Sequence, residues 1–356
     1  MKLNILLIYT GGTIGMMKDP VTGALRSFNF NELLVHIPEV RQLDCDIHPI
    51  SYERPIDSSN MNLKHWRELG DIIHKNYDEY DGFVVLHGSD TMSYTGSVLS
   101  FMFENLTKPI ILTGSQLPIG DLRTDAKENL ITSLQLASQH ENGKPILREV
   151  CIYFEYQLYR ANRTVKLNAE HFEAFSSPNY PPLAVSGVHL KIDKSLLMQD
   201  GDGYNAFAKA NNLQTAPQGR MIYRPELRDE VVILKLFPGI RPETVAAICN
   251  IEGIQAIILE TYGSGNAPTD GWFLETMERT IAKGIKIINV TQCTGGAVDM
   301  GKYETSTKLK ALGMISGRDM TTEAALAKVM YLLQYADDAV PFHRYFESSL
   351  RGELTA

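Results

Sequence analysis

Two short stretches of the chain place hydroxyl groups directly after glycines, a pattern suited to acyl transfer. The first is Thr10-Gly11-Gly12-Thr13, and the second is Gly88-Ser89-Asp90-Thr91. Glycine lets the backbone approach a ligand closely, and backbone N–H groups in such turns can stabilise an oxyanion. A threonine hydroxyl becomes a nucleophile only beside a base or a charged group, and Asp90 is next to Thr91. If the hydroxyls of Thr13 and Thr91 contacted one ligand, one could act as the nucleophile and the other could relay a proton.

Both turns also have simpler interpretations. A glycine pair before Thr13 is typical of a tight turn that ends in a helix-capping threonine. Asp90 is likewise a common N-cap residue for a helix that begins just after it. A carboxylate there would equally suit the ammonium group of an amino-acid substrate. The residues alone leave both interpretations open.

Further polar groups could serve the same ligand. The loop Asp57-Ser58-Ser59-Asn60-Met61 could supply donors to a carboxylate, although it also fits a plain turn before a helix beginning near Leu63. The turn Thr113-Gly114-Ser115-Gln116 repeats the glycine–hydroxyl pattern. A lysine such as Lys166 is normally solvated. If it faced Thr91, it would be a buried cation with a shifted pKa and could relay a proton.

Other chemistries lack their signatures. His87 ends an apolar run, where a histidine is more often a packing residue than a general base, and no Ser-x-Gly elbow or His–Asp pattern accompanies it. The sequence contains no GxGxxG, Walker A or HExxH motif. A nucleotide-binding or metalloprotease interpretation therefore has no support.

The elements that carry these turns are predicted to alternate between strands and helices. Buried strands are predicted from apolar runs at 4–9, 82–87, 109–113 and 149–154. Helical spacing of apolar residues predicts helices over 94–106 and 127–138. This order predicts βαβ units in a mostly parallel sheet, which binds ligands at the carboxyl ends of its strands. The turns with Thr13 and Thr91 are therefore expected at one edge.

The composition changes between about 176 and 226, where proline and glycine recur and 189–192 could form a hairpin strand. We predict a catalytic α/β domain at 1–195, a connector at 196–226 and a smaller Rossmann-like α/β domain at 227–356, both doubly wound. In the second domain, the predicted strands are 231–237, 256–260 and 285–290, and the predicted helices are 242–250, 270–282 and one capped by Thr321 or Thr322.

The bulk composition is that of an ordinary globular protein. The chain has 356 residues and a net charge of −8, which argues against nucleic acid or an anionic membrane as a partner. Four scattered cysteines without CxxC spacing (Cys45, Cys151, Cys249 and Cys293) are typical of reduced thiols in a cytosolic protein. No apolar run approaches transmembrane length, and no signal-peptide pattern is evident. We expect a cytoplasmic protein.

The turns together resemble the two signature motifs of the bacterial-type L-asparaginases. Residues 9–15 (YTGGTIG) resemble the first and residues 87–92 (HGSDTM) the second. Residues 159–166, 262–268 (YGSGNAP) and 350–354 (LRGEL) are similar to the cytoplasmic type I branch. The likeness runs along essentially the whole chain in order.

This resemblance implies an enzyme that hydrolyses L-asparagine with water to L-aspartate and ammonia. Thr13 would attack the side-chain amide carbon and form an aspartyl ester. Thr91 with Lys166 would handle the proton or the water, and Asp90 would bind the α-ammonium group. No metal and no organic cofactor are expected, because oxyanion stabilisation and proton delivery are within reach of these groups.

The resemblance also implies substrate contacts and an assembly. Asp57, Ser58 and Ser59 match a loop that grips the α-amino and α-carboxylate groups. Gly12, Gly88 and Ser115 are expected to contact the substrate from the turns. The subunits would form a homodimer or a dimer of dimers, with Asn266 reaching into a neighbouring subunit's site.

Three positions depart from the pattern of the family. The lid after the first motif, 16–28, lacks the usual tyrosine, and Ala24 stands near its place; Tyr9, inside the first strand, is a poor substitute. Family members that asparagine activates carry an arginine where this chain has Glu260 and a threonine where it has Val165. Although Thr291-Gln292-Cys293 matches that allosteric site, a reversed charge should oppose binding of a ligand carboxylate. We expect activation by asparagine to be absent or much weakened.

Two other functions stay open from the sequence. One is a related amidase, either a glutaminase-asparaginase or a subunit that feeds ammonia to a partner on tRNA; the acidic chain argues against the tRNA version. The other is an asparagine sensor that kept the fold and lost turnover, which the missing lid tyrosine favours.

Overall fold

The computed structural model describes residues 2–18, 25–27, 37–199, 201–215, 217, 220–301, 304–336 and 339–355. The chain forms two compact units. The first comprises Met1–Asp200 and Ala216–Pro225, and the second comprises Gly201–Thr215 and Glu226–Ala356. The stretch predicted as a connector, 196–226, is thus divided between the two units. The domain boundaries themselves stay a prediction.

The first unit contains strands and helices in alternation. Its strands are β1 Leu3–Tyr9, β2 Met16–Lys18, β3 Leu25–Ser27, β4 Cys45–Ser51, β5 Gly82–Leu86, β6 Phe103–Glu104, β7 Ile110–Thr113, β8 His140–Glu141, β9 Lys144–Pro145, β10 Val150–Phe154, β11 Gln157–Arg160, β12 Val165–Lys166, β13 Phe175–Ser176, β14 Ala184–Ser186, β15 Leu190–Ile192 and β16 Ile222–Tyr223. Its helices are α1 Leu63–Lys75, α2 Met92–Met102 and α3 Ala126–Ala137.

Eight of these strands form one sheet in the order β15-β14-β11-β10-β7-β5-β1-β4. The five strands from β10 to β4 are parallel, and β11, β14 and β15 add antiparallel pairs. Strands β5, β7 and β10 are buried along their whole length, as an apolar run in a covered parallel sheet requires. The mostly parallel sheet predicted from the sequence is confirmed.

Helix α2 differs from the prediction at its end. The apolar spacing predicts a helix through residue 106, but the helix ends at Met102 and the chain continues as β6. Strand β6 pairs with β16, where the rings of Phe103 and Tyr223 stack at 5.0 Å, and Glu104 accepts a hydrogen bond from Arg224. A long-range strand pairing therefore overrides the local helical pattern.

Strands β4, β1, β5 and β7 are neighbours, so the turns that follow them lie at one edge of the sheet. Backbone hydrogen bonds continue past the strand ends: Thr10 N–H donates to Leu86 O at 3.0 Å, and His87 N–H donates to Thr113 O at 2.9 Å. The polar turns are thereby held on a rigid frame. This is the edge at which parallel sheets bind ligands.

The second unit is a smaller α/β body. Its strands are β17 Val231–Lys235, β18 Ala256–Thr261, β19 Lys286–Thr291 and β20 Ile315–Ser316, and its helices are α4 Tyr204–Ala210, α5 Pro242–Cys249, α6 Gly271–Ala282, α7 Glu304–Ala311, α8 Thr322–Tyr335 and α9 Phe342–Phe346. The sheet order is β17-β18-β19-β20 with every pairing parallel. The predicted two-domain α/β architecture is confirmed.

An ion pair inside the second unit holds the end of the chain. Lys328 on α8 and Glu353 are both fully buried and paired with each other. The Lys328 ammonium also donates to Phe346 O and Ser348 O, and Glu353 accepts from the backbone N–H of Leu350.

Among the described residues, no helix combines the length and apolarity needed to cross a membrane.

Candidate active site

The first turn is shaped by two glycines with positive φ, 139° at Gly11 and 91° at Gly12. A Cβ on Gly12 would lie 2.6 Å from Gly88 Cα, so the first and second turns are in direct backbone contact. Thr13 follows at the start of a 3-10 turn, Thr13–Gly15. Within the described ranges, its hydroxyl has no hydrogen-bond partner. Thr13 thus follows the glycine that contacts the second turn.

The second turn contacts the predicted substrate loop. A Cβ on Gly88 would lie 2.6 Å from Ser58 Oγ. The Thr91 hydroxyl donates a hydrogen bond of 2.8 Å to Ser58 O. Gly12, Gly88 and Ser58 therefore join the turns after β1 and β5 to the loop after β4.

Lys166 on β12 reaches the second turn, where it contacts the two residues that precede Thr91. Its Nζ donates to Ser89 Oγ at 2.8 Å and to Asp90 Oδ1 at 2.7 Å. Lys166 is largely buried, with 16% of its side chain exposed, whereas Asp90 is 67% exposed. Ser89, not Thr91, therefore completes a hydroxyl–lysine–carboxylate cluster.

The geometry of the turn explains why Ser89 was missed. Residues Ser89–Thr91 form one 3-10 turn, in which successive residues rotate by about 120°. The hydroxyls of Ser89 and Thr91 consequently face different partners. The position of Ser89 between Gly88 and Asp90 was a signal, but the sequence analysis assigned the role to Thr91 and did not consider Ser89.

The loop after β4 supplies a carboxylate and a hydroxyl. Asp57 Oδ1 accepts from Ser59 N–H at 2.9 Å and from Ser59 Oγ–H at 2.8 Å. These two hydrogen bonds hold the pKa of Asp57 below its usual range, because they stabilise the ionised carboxylate. Ser58 is buried, and Asp57 and Ser59 are exposed. The loop thus presents an ionised carboxylate.

The third turn, after β7, uses its predicted hydroxyl internally. Ser115 is buried, and its Oγ–H donates to Leu117 O at 2.6 Å. Its neighbour Gln116 instead extends to the second turn, where its Oε1 accepts from the Ser89 hydroxyl at 3.3 Å. The structure thus brings Gln116 to the site rather than the Ser115 hydroxyl.

Tyr9 supports the first turn. Its hydroxyl donates to Gly15 O at 3.2 Å, and a Cβ on Gly15 would meet the Tyr9 ring at 2.2 Å. Burial raises the pKa of Tyr9 to about 12, so the phenol is protonated at pH 7 and cannot act as a general base. Of the predicted lid, 16–28, the structure describes only strands β2 and β3, which pair antiparallel. Ala24 lies outside the described residues.

His87 is a buried support for the second turn. Its Nδ1 lies 2.7 Å from Gly88 O, and its Nε2 lies 2.9 Å from Thr95 Oγ1. Because a carbonyl only accepts, Nδ1 carries the proton. Burial lowers the pKa of His87 to about 4. The ring is neutral at pH 7, and both of its nitrogens are committed.

The predicted allosteric residues lie in the second unit, where their polar groups are engaged. Thr291 Oγ1 donates to Gly263 O at 2.6 Å, and Gln292 Nε2 donates to Leu236 O at 2.6 Å. Cys293 is exposed.

Glu260 is the penultimate residue of β18, the second strand of this unit. Its Oε1 accepts from the Thr322 hydroxyl at 2.8 Å, and its Oε2 lies 3.6 Å from Lys235 Nζ. Asn266 lies in the turn after this strand, and its backbone N–H donates to Tyr262 O at 2.8 Å. Val165 precedes Lys166 on β12, in the first unit.

In the described part of the chain, no three His, Cys, Asp or Glu side chains come together in a way that could hold a metal ion. The arrangement does provide a hydroxyl at Thr13, a second hydroxyl paired with a lysine, and glycine-rich backbone between them. Such groups suit attack on a carbonyl carbon with proton transfer.

Two family models match the chain. Residues 4–197 match the model of the family described as "Asparaginase, N-terminal". Residues 230–346 match the model described as "Glutaminase/Asparaginase C-terminal domain". The two matches lie in the same order as the two predicted domains.

Individual proteins are similar over essentially the full length of this chain. The chain is 39% identical to L-asparaginase 1 of Escherichia coli (strain K12), covering 99% of this chain and 98% of that protein. It is 35% identical to the 60 kDa lysophospholipase of Mus musculus, covering 99% of this chain and 62% of that protein. The crystal structure of L-asparaginase I from Vibrio cholerae superposes with a TM-score of 0.85 at 37% identity, covering 100% of both chains.

Proposed function

This chain belongs to the asparaginase family, and from that membership we propose that it is an L-asparagine amidohydrolase that releases L-aspartate and ammonia. The observation that carries the proposal is the Lys166 ammonium, which contacts both Ser89 and Asp90 beside the turn that presents Thr13. The 39% identity to an L-asparaginase 1 along nearly the whole chain supports the same substrate.

In the first half-reaction, Thr13 Oγ1 attacks the side-chain amide carbon of asparagine. The carbonyl oxygen becomes an oxyanion, which backbone N–H groups of the glycine-rich turns would stabilise. Collapse breaks the C–N bond, and the proton that the Thr13 hydroxyl gives up passes to the departing nitrogen, which leaves as ammonia. Thr13 then carries an aspartyl ester. The contact between Gly12 and Gly88 supports this role, because it brings the two turns together.

In the second half-reaction, water attacks the ester carbon and restores the Thr13 hydroxyl as aspartate leaves. We assign the proton relay to Ser89 and Lys166 in place of the predicted Thr91 and Lys166, since the lysine donates to Ser89. A general acid–base pair of this kind contributes about 10²–10⁴-fold to a rate. Thr91 is left to hold the substrate loop through Ser58 O.

Substrate orientation would come from charged groups around the turns. Asp90 is paired through Oδ1 and is mostly exposed, so it can also face the α-ammonium group of the substrate. Asp57 is an ionised acceptor for the same group, and Ser58 and Ser59 border the place for the α-carboxylate. Two carboxylates facing one ammonium favour an α-amino acid over a simple amide.

The assembly and location are further proposals. We infer a homodimer or a dimer of dimers in which Asn266 acts at a neighbouring subunit's site. Mixing Thr13→Ala subunits with Asn266→Ala subunits should restore activity that neither variant has alone. A cytoplasmic location is supported by the four cysteines, all of which are free thiols.

One assay separates the candidate functions. Ammonia release is measured with L-asparagine and with L-glutamine, for the wild type and for Thr13→Ala. Release from asparagine that Thr13→Ala abolishes supports the proposal, and comparable release from glutamine indicates a glutaminase-asparaginase. Tight asparagine binding without release would contradict an enzyme and indicate a sensor.

A further inference from the structure

Gln116 is half-buried between the second turn and two other segments of the first unit. Its side-chain Nε2 donates to His171 O at 3.0 Å, and its Oε1 accepts from Ser89 Oγ–H at 3.3 Å. The residue was not among the predicted site residues. It nevertheless contacts the Ser89 hydroxyl, which Lys166 also contacts.

The chemistry of the partners fixes which way the Gln116 amide points. The His171 carbonyl can only accept a hydrogen bond, so the NH₂ group of Gln116 must face it. The amide oxygen therefore faces Ser89. The His171 peptide is itself held in place, because Asn168 Oδ1 accepts from His171 N–H at 2.9 Å.

The backbone of Gln116 is also anchored. Its N–H donates to Asp125 Oδ2 at 2.9 Å, and the next N–H, of Leu117, donates to Asp125 Oδ1 at 3.1 Å. Asn129 on α3 donates to Gly114 O and to Asp125 Oδ2. Asp125 and Asn129 are both buried, so the turn that carries Gln116 is fixed to the start of α3.

These contacts also fix the proton on Ser89. An ammonium can only donate, so Lys166 gives a hydrogen to Ser89 Oγ, and the single hydroxyl hydrogen of Ser89 must go elsewhere. The Gln116 amide oxygen is the acceptor on the other side. The Ser89 hydroxyl thus has a defined orientation as long as Lys166 is protonated.

We propose that Gln116 is a positioning residue that orients the Ser89 hydroxyl for proton transfer with Lys166, an inference that rests on the proposed amidohydrolase function. Gln116 does not exchange a proton itself, since an amide oxygen only accepts a hydrogen bond here. Its effect is to keep the Ser89 oxygen facing the ammonium. Loss of this acceptor leaves the hydroxyl free to rotate and lowers the population of the reactive orientation.

Two substitutions separate this role from simple support of the loop. Gln116→Leu removes both the contact with Ser89 and the contact with His171. Gln116→Glu keeps an acceptor for Ser89, replaces the donor to His171 with a carboxylate oxygen and adds a negative charge near Lys166. Gln116→Met is a second apolar variant of similar length if the leucine variant fails to fold. Gln135→Leu, at an exposed glutamine on α3, is the matched control.

The experiment measures kcat and KM for ammonia release from L-asparagine. Gln116→Leu is expected to lower kcat about five- to tenfold, as loss of one hydrogen bond predicts, with KM changed less than about twofold. Gln116→Glu should stay within about threefold of the wild type, and Gln135→Leu should match it. An equal fall of kcat in Gln116→Leu and Gln116→Glu, or no fall in either, would overturn this inference and leave the proposed function standing. A folded wild type that releases no ammonia would overturn the proposed function, and this inference with it.

Discussion

The Lys166 ammonium lies 2.8 Å from the Ser89 hydroxyl, whereas the Thr91 hydroxyl donates to Ser58 O. Two hydroxyls separated by one residue thus have different environments. Ser89 lies in a cluster with two charged groups, and Thr91 connects the second turn to the loop after β4. The distinction leads directly to different expected kinetics for the two residues.

Ser89→Ala should lower kcat by about 100-fold or more, because it removes the hydroxyl of the proton relay. Thr91→Val should mainly raise KM, by about two- to tenfold, since it removes one hydrogen bond that positions the substrate loop. Thr91→Ser, which keeps the hydroxyl, is the control. Steady-state kinetics of ammonia release distinguish the two effects. The reverse result, a large kcat loss in Thr91→Val only, would return the relay to Thr91.

Gly12→Ala should impair both folding stability and activity. Gly12 has a φ of 91°, which costs an alanine about 1–3 kcal/mol, and the added Cβ would also lie 2.6 Å from Gly88 Cα. Gly120→Ala is the control, because a Cβ there meets nothing within 4 Å. Thermal unfolding and ammonia release measure the two consequences. A Gly12→Ala enzyme with wild-type stability and kcat would refute the close contact between the turns.

Removal of the buried carboxylate at Glu353 should strongly destabilise the second unit. Glu353→Gln leaves Lys328 buried without its counter-charge, which costs about 3–5 kcal/mol in the free energy of unfolding. Urea denaturation at pH 7 measures this change. The exposed pair of Lys194 and Glu141, at 55% and 57% exposure, is the control, and Glu141→Gln should cost less than about 1 kcal/mol.

The same ion pair predicts how stability depends on pH. Burial opposes the charge on Glu353, but Lys328 and the backbone N–H groups of Leu350 and Arg351 outweigh it and hold the pKa of Glu353 below its usual value. The stabilisation is therefore complete above the unfolded-state pKa, about 4.3 for glutamate, and is lost as the pH falls through the lower folded-state pKa. Glu353→Gln should flatten this acid limb of the stability curve. An unchanged acid limb would contradict the assignment.

Glu260 leads us to expect a hyperbolic dependence of initial velocity on asparagine concentration. Its carboxylate would repel the α-carboxylate of an effector, and it is already engaged by Thr322 and Lys235 within the second unit. Initial rates over a wide range of asparagine concentrations provide the measurement. A sigmoidal curve that becomes hyperbolic when Cys293 is changed to alanine would show that the allosteric site operates despite Glu260.

The sequence by itself determined most of the elements and the location of the turns. Apolar runs and helical spacing are local signals, so β1, β5, β7, β10 and the helices near them could be predicted. Strand β4 was not predicted, because it lies at the sheet edge, is half-exposed and contains Pro49, which an edge strand tolerates.

Only the tertiary structure decided which side chains meet at the site. The rotation within one 3-10 turn gives Ser89 rather than Thr91 to Lys166, a residue 77 positions away. Gln116 reaches Ser89 across 27 positions because β5 and β7 are neighbours in the sheet. Residue types and spacing identify candidate groups, but hydrogen-bond partners depend on side-chain directions that are set when distant segments pack together.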